Sequence, residues 1–299
     1  KNMNSFNAEY TSRSVTVAMG QLVCDIKHIF VLYPSYNFLF TSRSELPIYK
    51  AGAVKNFFEK QQRDYCINVA AYTAVYKAEA EKEKAFLINA DAAGILASTS
   101  SDHQTKLIHI STDYVYDESI RRPLKENDPV APLSVYGLSK LKGEEFVLSK
   151  NPSSFIIRTS WVYSSYGNNF VKTMLRLFKE KESINVINDQ HGCPTYAADI
   201  AAVIMNCIDG MKNKNEYSGI VNYCNGGITT WFDFAVAIKE LVGSSCNILP
   251  VPTSQYLTPA KRPQYSVLDT SKIIGLLKAG IPFWKDSLQK CLQLLKEIN

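Results

Sequence analysis

Lys106-Leu-Ile-His-Ile-Ser-Thr-Asp-Tyr-Val-Tyr116 and, beyond a proline-containing loop, Ser134-Val-Tyr-Gly-Leu-Ser-Lys140 decide the fold of this chain of 299 residues. The first stretch is a short apolar run, 106–111, closed by two hydroxyls and an acid. It reads as a buried strand that delivers Ser111, Thr112 and Asp113 to its carboxyl end. The second stretch opens a helix expected over 134–149. Outward from this pair, runs 14–17, 37–40, 66–69 and 155–159 read as further strands, with helical stretches 20–29, 53–61 and 85–98 between them. Strands alternating with helices at this spacing predict an α/β fold, a doubly wound parallel sheet with helices on both faces. Such a sheet binds ligands outside the carboxyl ends of its strands, where Thr112 and Asp113 fall.

Further helices are expected over 168–180, 197–209, 230–241 and 284–297, with an ordered loop at 254–264. We therefore expect residues 1–160 to form a nucleotide-binding domain, to which segments of about 184–225 return. Residues 161–299 would mainly build a smaller C-terminal α+β substrate domain. Hydrophobic residues make up 46% and charged residues 20%, which excludes a disordered or fibrous chain. The excess of 33 basic over 28 acidic side chains is spread without a basic block, which argues against a nucleic-acid partner. No apolar run reaches the ~20 residues of a membrane span, and 1–13 lack a signal-peptide core, so no membrane partner and a cytoplasmic location are expected. The seven cysteines form no Cys-x-x-Cys pair; no metal site and no disulfide framework are expected.

Tyr136 and Lys140, four apart, share one helical face. A free phenol, with pKa near 10, is a poor proton carrier at neutral pH, and a neighbouring ammonium is expected to lower it toward use as a general acid. Thr112 can hydrogen-bond the same substrate oxygen that the phenol protonates. The catalytic residues expected are thus Tyr136, Lys140 and Thr112.

Together with Asn68-Val-Ala-Ala-Tyr-Thr-Ala-Val75, Arg158-Thr-Ser-Trp-Val-Tyr163, Gly167-Asn-Asn-Phe170, Asp189-Gln-His-Gly-Cys-Pro-Thr195 and Arg262-Pro-Gln-Tyr265, these motifs resemble the extended short-chain dehydrogenase/reductases, and within them the dTDP-4-dehydrorhamnose reductase family. The resemblance implies a Rossmann-type fold and NADPH-dependent reduction (NADH being possible) of the C4 ketone of dTDP-4-dehydro-L-rhamnose, for a surface-polysaccharide precursor. The partner is then a dTDP-sugar, and the protein a monomer or homodimer. It further implies that Tyr136 donates a proton while Lys140 holds the nicotinamide ribose. Gly20, Gln21, Leu22, Ala71, Tyr72 and Thr73 would line the cofactor. Thr112, Asp113, Val75, Trp161, Asn169 and Arg262 would contact substrate, the last because a guanidinium suits a diphosphate.

The cofactor half departs from the family's pattern. Of three spaced glycines only Gly20 is present, Val17 and Val23 occupying the other places. Ser42 and Arg43 stand where the family has an acid, a replacement suited to the 2′-phosphate of NADP. Pro47 and Tyr76 also replace acids. Two readings follow: an NADPH enzyme with an altered loop, or a catalytically degenerate sugar-nucleotide-binding or regulatory subunit on the same fold. The missing second acid after Asp113, where Tyr114 stands, argues for carbonyl reduction over dehydration.

Overall fold

The computed structural model describes residues 11–16, 21–60, 63–212, 217–256 and 258–298. The first half alternates β1 (Thr11–Thr16), α1 (Gln21–Ile29), β2 (Tyr36–Thr41), α2 (Ala51–Lys60) and β3 (Tyr65–Asn68). It continues with α3 (Val75–Ala80), α4 (Lys82–Phe86), α5 (Ala92–Asp102), β4 (Lys106–Thr112), α6 (Val135–Lys150) and β5 (Phe155–Thr159). There follow β6 (Val162–Tyr163), α7 (Phe170–Glu180), β7 (Ser183–Ile187), β8 (His191–Gly192), β9 (Thr195–Tyr196), α8 (Ala197–Lys212) and β10 (Gly219–Asn222). The chain closes with β11 (Thr229–Thr230), α9 (Trp231–Val242), β12 (Asn247–Val251), β13 (Tyr265–Ser266), α10 (Ser271–Leu277) and α11 (Trp284–Ile298).

The main sheet has the order β10-β5-β4-β3-β1-β2, and every pairing is parallel. β3 and β5 are buried along their whole length, as strands covered on both faces must be. On one face Leu22 and Ile26 of α1 meet Ile200, Ala201 and Ile204 of α8 over Ile67, Ile108 and Ile157. On the other, Val54 and Phe58 of α2, Ala93 and Leu96 of α5 and Val147 of α6 cover Cys66, Leu107 and Ile156. The order reverses between β1 and β3, which places the ligand crevice outside their carboxyl ends.

The later segments build a second core from Val171 and Met174 of α7, Phe234 and Ile238 of α9, and Trp284, Leu288 and Leu292 of α11. Three small sheets surround it: β12 with β7, β6 with β9, and β8 between β11 and β13. α8, β10 and Ile273 of α10 pack instead with the main sheet. All seven cysteines are free. No described helix is long and apolar enough to cross a membrane.

Two expectations change. β1 begins at Thr11, three residues earlier than expected, and Val17 lies outside the described residues. The single helix expected over 85–98 is interrupted by a π turn, Leu87–Asp91, between α4 and α5. That turn directs the Asn89 amide to the backbone of Tyr72, accepting from its N–H at 2.7 Å and donating to its carbonyl at 3.1 Å. α6 approaches the same turn so closely that a Cβ at Gly143 would lie 2.1 Å from the Asn89 carbonyl oxygen.

A buried ion pair fixes α6 to the sheet. The Arg158 guanidinium on β5 donates to the Glu144 carboxylate at 2.6 Å, with side chains 3% and 2% exposed. Ser111 on β4 donates to the same carboxylate. Removing one partner strands a charge in the interior. Glu144→Ala should therefore lose about 3–5 kcal/mol in urea unfolding. A loss below about 1 kcal/mol would show that the pair does not hold α6 in place.

Candidate active site

Thr112 ends β4 and, in extended backbone, caps the short turn Asp113–Val115 by accepting from the Tyr114 N–H at 3.3 Å. Its hydroxyl donates to the Asp113 carboxylate at 3.0 Å. Tyr136 lies in the first turn of α6, which Ser134 caps through the Gly137 N–H at 3.1 Å. The Tyr136 phenol and Thr112 line the same part of the cleft, close enough for the Thr112 hydroxyl to act on the phenol, and the Tyr114 ring packs edge-on against Tyr136 at 5.5 Å between ring centres. Lys140, one turn on, is 2% exposed, and its ammonium donates to the Ile110 carbonyl at 2.6 Å.

The protonation states correct one expectation. Burial pushes the Tyr136 phenol up to about 12, against the opposing hydrogen bond from Thr112, so the phenol is not acidified here. Burial pushes the Lys140 ammonium down to about 8, against the attraction of Glu144. Burial likewise raises Asp113 to about 6, with Thr112, Ser266 and Arg262 opposing. The site therefore holds a phenol that keeps its proton at neutral pH, as a proton donor must.

These groups floor a cleft of about 960 Å³ along the carboxyl edge of the sheet. Leu22, Arg43, Ala71, Tyr72, Thr73, Val75, Thr112, Asp113, Tyr136, Lys140, Trp161, Asn169 and Arg262, all expected at the site, line it. Gly20 lies outside the described residues, and Gln21 opens α1. Ser42 does not line the cleft. Its hydroxyl and N–H close the turn after β2 instead, with Ser44 at 2.9 Å and the Glu45 carboxylate at 2.7 Å. The Arg43 guanidinium, just past β2, lies over the Tyr49 ring, 5.9 Å from its centre, and Lys84 of α4, paired with Glu81 at 2.7 Å, joins it at the wall. A guanidinium at the strand end beside the crevice suits a 2′-phosphate, so the donor set fits NADP. Val23, at the third glycine's place, is 6% exposed and lines the same wall.

On the other side Trp161, with a φ of 46°, stacks face to face on Trp231 at 3.6 Å. One face of its indole is therefore already covered. A Cβ at Gly192 would come within 2.5 Å of that ring, so only glycine at 192 lets the indole seat. Arg262 lies over Tyr76 and Trp231. Asn169 reaches the cleft wall, but its amide is spent locally, capping α7 through the Lys172 N–H and donating to the Ser164 carbonyl at 2.7 Å. Sequence reasoning missed Trp231, Lys84, Tyr114 and Asn89. Only Trp231 carried a signal, an aromatic directly after a Thr-Thr helix cap. No group of three or more His, Cys, Asp or Glu able to hold a metal occurs among the described residues.

The sequence profile described as RmlD substrate binding domain matches residues 14–297. A dTDP-4-dehydrorhamnose reductase of Sinorhizobium fredii is 36% identical over 288 residues, covering 94% of this chain and 97% of the relative. That of Salmonella typhimurium is 40% identical over 239 residues, covering 78% and 80%. The crystal structure of a dTDP-4-dehydrorhamnose reductase from Clostridium acetobutylicum superposes with a TM-score of 0.90 at 38% identity, covering 96% of this chain and all of the other. The Bacillus anthracis enzyme, solved in complex with NADP, superposes with a TM-score of 0.89 at 34% identity, covering 95% and 99%.

One buried acid ties α1 to the segment that leads into the cleft wall. Asp25 of α1, 1% exposed, accepts from the Ser164 hydroxyl at 2.6 Å, just before the cleft-lining residues Gly167–Asn169. Burial pushes it up to about 7, against the Ser164 hydrogen bond and helped by Asp199. The folded chain thus retains a proton that the unfolded chain releases near pH 4. This contribution to stability is complete below that pH and lost as pH rises through about 7. Asp25→Asn should shrink the fall in urea-unfolding free energy between pH 5 and pH 8 by on the order of 2–3 kcal/mol. An unchanged pH profile would refute the assignment.

Proposed function

The chain belongs to the RmlD substrate binding domain family, and on that premise we propose that it is an NADPH-dependent oxidoreductase that reduces the C4 ketone of dTDP-4-dehydro-L-rhamnose to dTDP-L-rhamnose. The observation that carries this reading is the convergence of Tyr136, Thr112 and Lys140 beneath one cleft that also has Arg43 and Arg262 in its walls. NADPH, when bound, supplies the hydride to the ketone carbon.

The residues of the chain do the rest. Arg43 holds the 2′-phosphate, while Leu22, Ala71, Tyr72 and Thr73 line the dinucleotide. Lys140 holds the nicotinamide ribose beside Tyr136. The Thr112 and Tyr136 hydroxyls grip the ketone oxygen, and the phenol passes its proton there as charge develops. Asp113 and Val75 border the sugar, and Trp161 offers it the indole surface that Trp231 leaves open. Arg262 pairs with the diphosphate. The product feeds surface-polysaccharide assembly, and seven free cysteines accord with a cytoplasmic enzyme.

A degenerate binding subunit on the same fold would keep Arg262 and Trp161 without needing a buried phenol against Thr112. Tyr136→Phe should cut NADPH oxidation, followed by absorbance with the keto-sugar nucleotide, by about 10²–10⁴-fold. Sugar-nucleotide affinity should stay unchanged; retained turnover would remove Tyr136 as proton donor. Arg43→Ala should lower the preference for NADPH over NADH by about 10-fold, and an unchanged ratio would remove Arg43 from cofactor selection.

A further inference from the structure

We propose that Tyr76 is a positioning residue: its ring holds the Arg262 guanidinium by its flat face and leaves the N–H rim free for the diphosphate of a sugar nucleotide. The proposal rests on the function above and adds a residue that determines how tightly the nucleotide is held.

Arg262 leaves the loop between β12 and β13, far in sequence from α3. Its guanidinium carbon lies 5.0 Å from the centre of the Tyr76 ring and 6.0 Å from that of Trp231. Trp231 is backed in turn by Trp161 and by Phe170, at 3.6 Å and 4.6 Å between ring centres. Among the described residues no acid pairs with Arg262 within 4.0 Å, and its Nε is buried without a hydrogen-bond partner. Asp113 is close enough for the two charges to interact but does not pair with it. Val75, the residue before Tyr76, lines the cleft, as do Trp231 and Arg262 themselves.

A planar cation held this way is gripped through π electrons, which take none of its five N–H donors. The aromatic faces carry no formal charge, so the cation stays without a counter-ion. Such a group is completed by an anion that can take a planar pair of donors, and a diphosphate does so. Where the family's pattern has an acid, this chain thus seats the guanidinium on an aromatic ring, which keeps it at the cleft wall without taking any of its donors.

The test is calorimetric titration of thymidine diphosphate into the full chain with NADP present. Tyr76→Phe keeps the ring, and its affinity should stay within about 2-fold of wild type. Tyr76→Ala should weaken binding by about 3- to 30-fold. In turnover, Tyr76→Ala should raise KM for the keto-sugar nucleotide with kcat and NADPH affinity nearly unchanged, a split that general destabilisation would not give. Thymidine diphosphate binding to Tyr76→Ala as tightly as to wild type would overturn the proposal and leave the functional reading standing. A wild-type chain that neither binds thymidine diphosphate nor oxidises NADPH with the keto-sugar would overturn both.

Discussion

The placement of Tyr136, in the first turn of α6, beside Thr112 at the end of β4 is the constraint on which the rest of the site depends. It exists only because α6 is pinned over β4 and β5, and two features pin it. The Arg158–Glu144 pair, with Ser111, ties the middle of the helix to both strands. Close packing of Gly143 on the Asn89 turn sets how near the helix comes. Burial of the phenol in that place then keeps it protonated. An enzyme that reduces a ketone needs a loaded proton donor, and removing water around Tyr136 provides one. Lys140 is held ready beside it by the Ile110 carbonyl, its own charge made costly by the same burial.

Much of this was legible in the sequence. Continuous apolar runs mark strands covered on both faces, so β3, β4 and β5 stand out by composition alone. Tyr136 and Lys140 could be paired because a helix repeats every 3.6 residues. The direction of the phenol's shift was not legible, because a four-residue spacing says nothing of how much water the fold removes. The π turn at Leu87–Asp91 was hidden for a similar reason. It is imposed by the Asn89 amide meeting the Tyr72 backbone, 17 residues away in the chain. Ser42 illustrates the converse error, a hydroxyl read as a ligand that the turn after β2 uses for itself.

The substrate wall shows how long-range contacts change a residue's meaning. Trp161 reads as an open stacking surface until Trp231, 70 positions later, covers one of its faces. Gly192 looks like a loop glycine until the indole is found against it. Arg262 and Tyr76 are 186 residues apart, so their pairing belongs to the fold and not to any motif. In the cofactor half, Val23 faces the cleft where a smaller residue was expected, while Arg43 supplies charge farther along the wall.

Hydride transfer to the sugar is the claim from which these roles derive, and isotopic labelling tests it most directly. With NADPH deuterated at the transferable C4 position and the keto-sugar nucleotide as acceptor, the account predicts one deuterium at C4 of the product sugar, read by mass spectrometry and proton NMR. A product without deuterium, or no product at all from the intact chain, would contradict it.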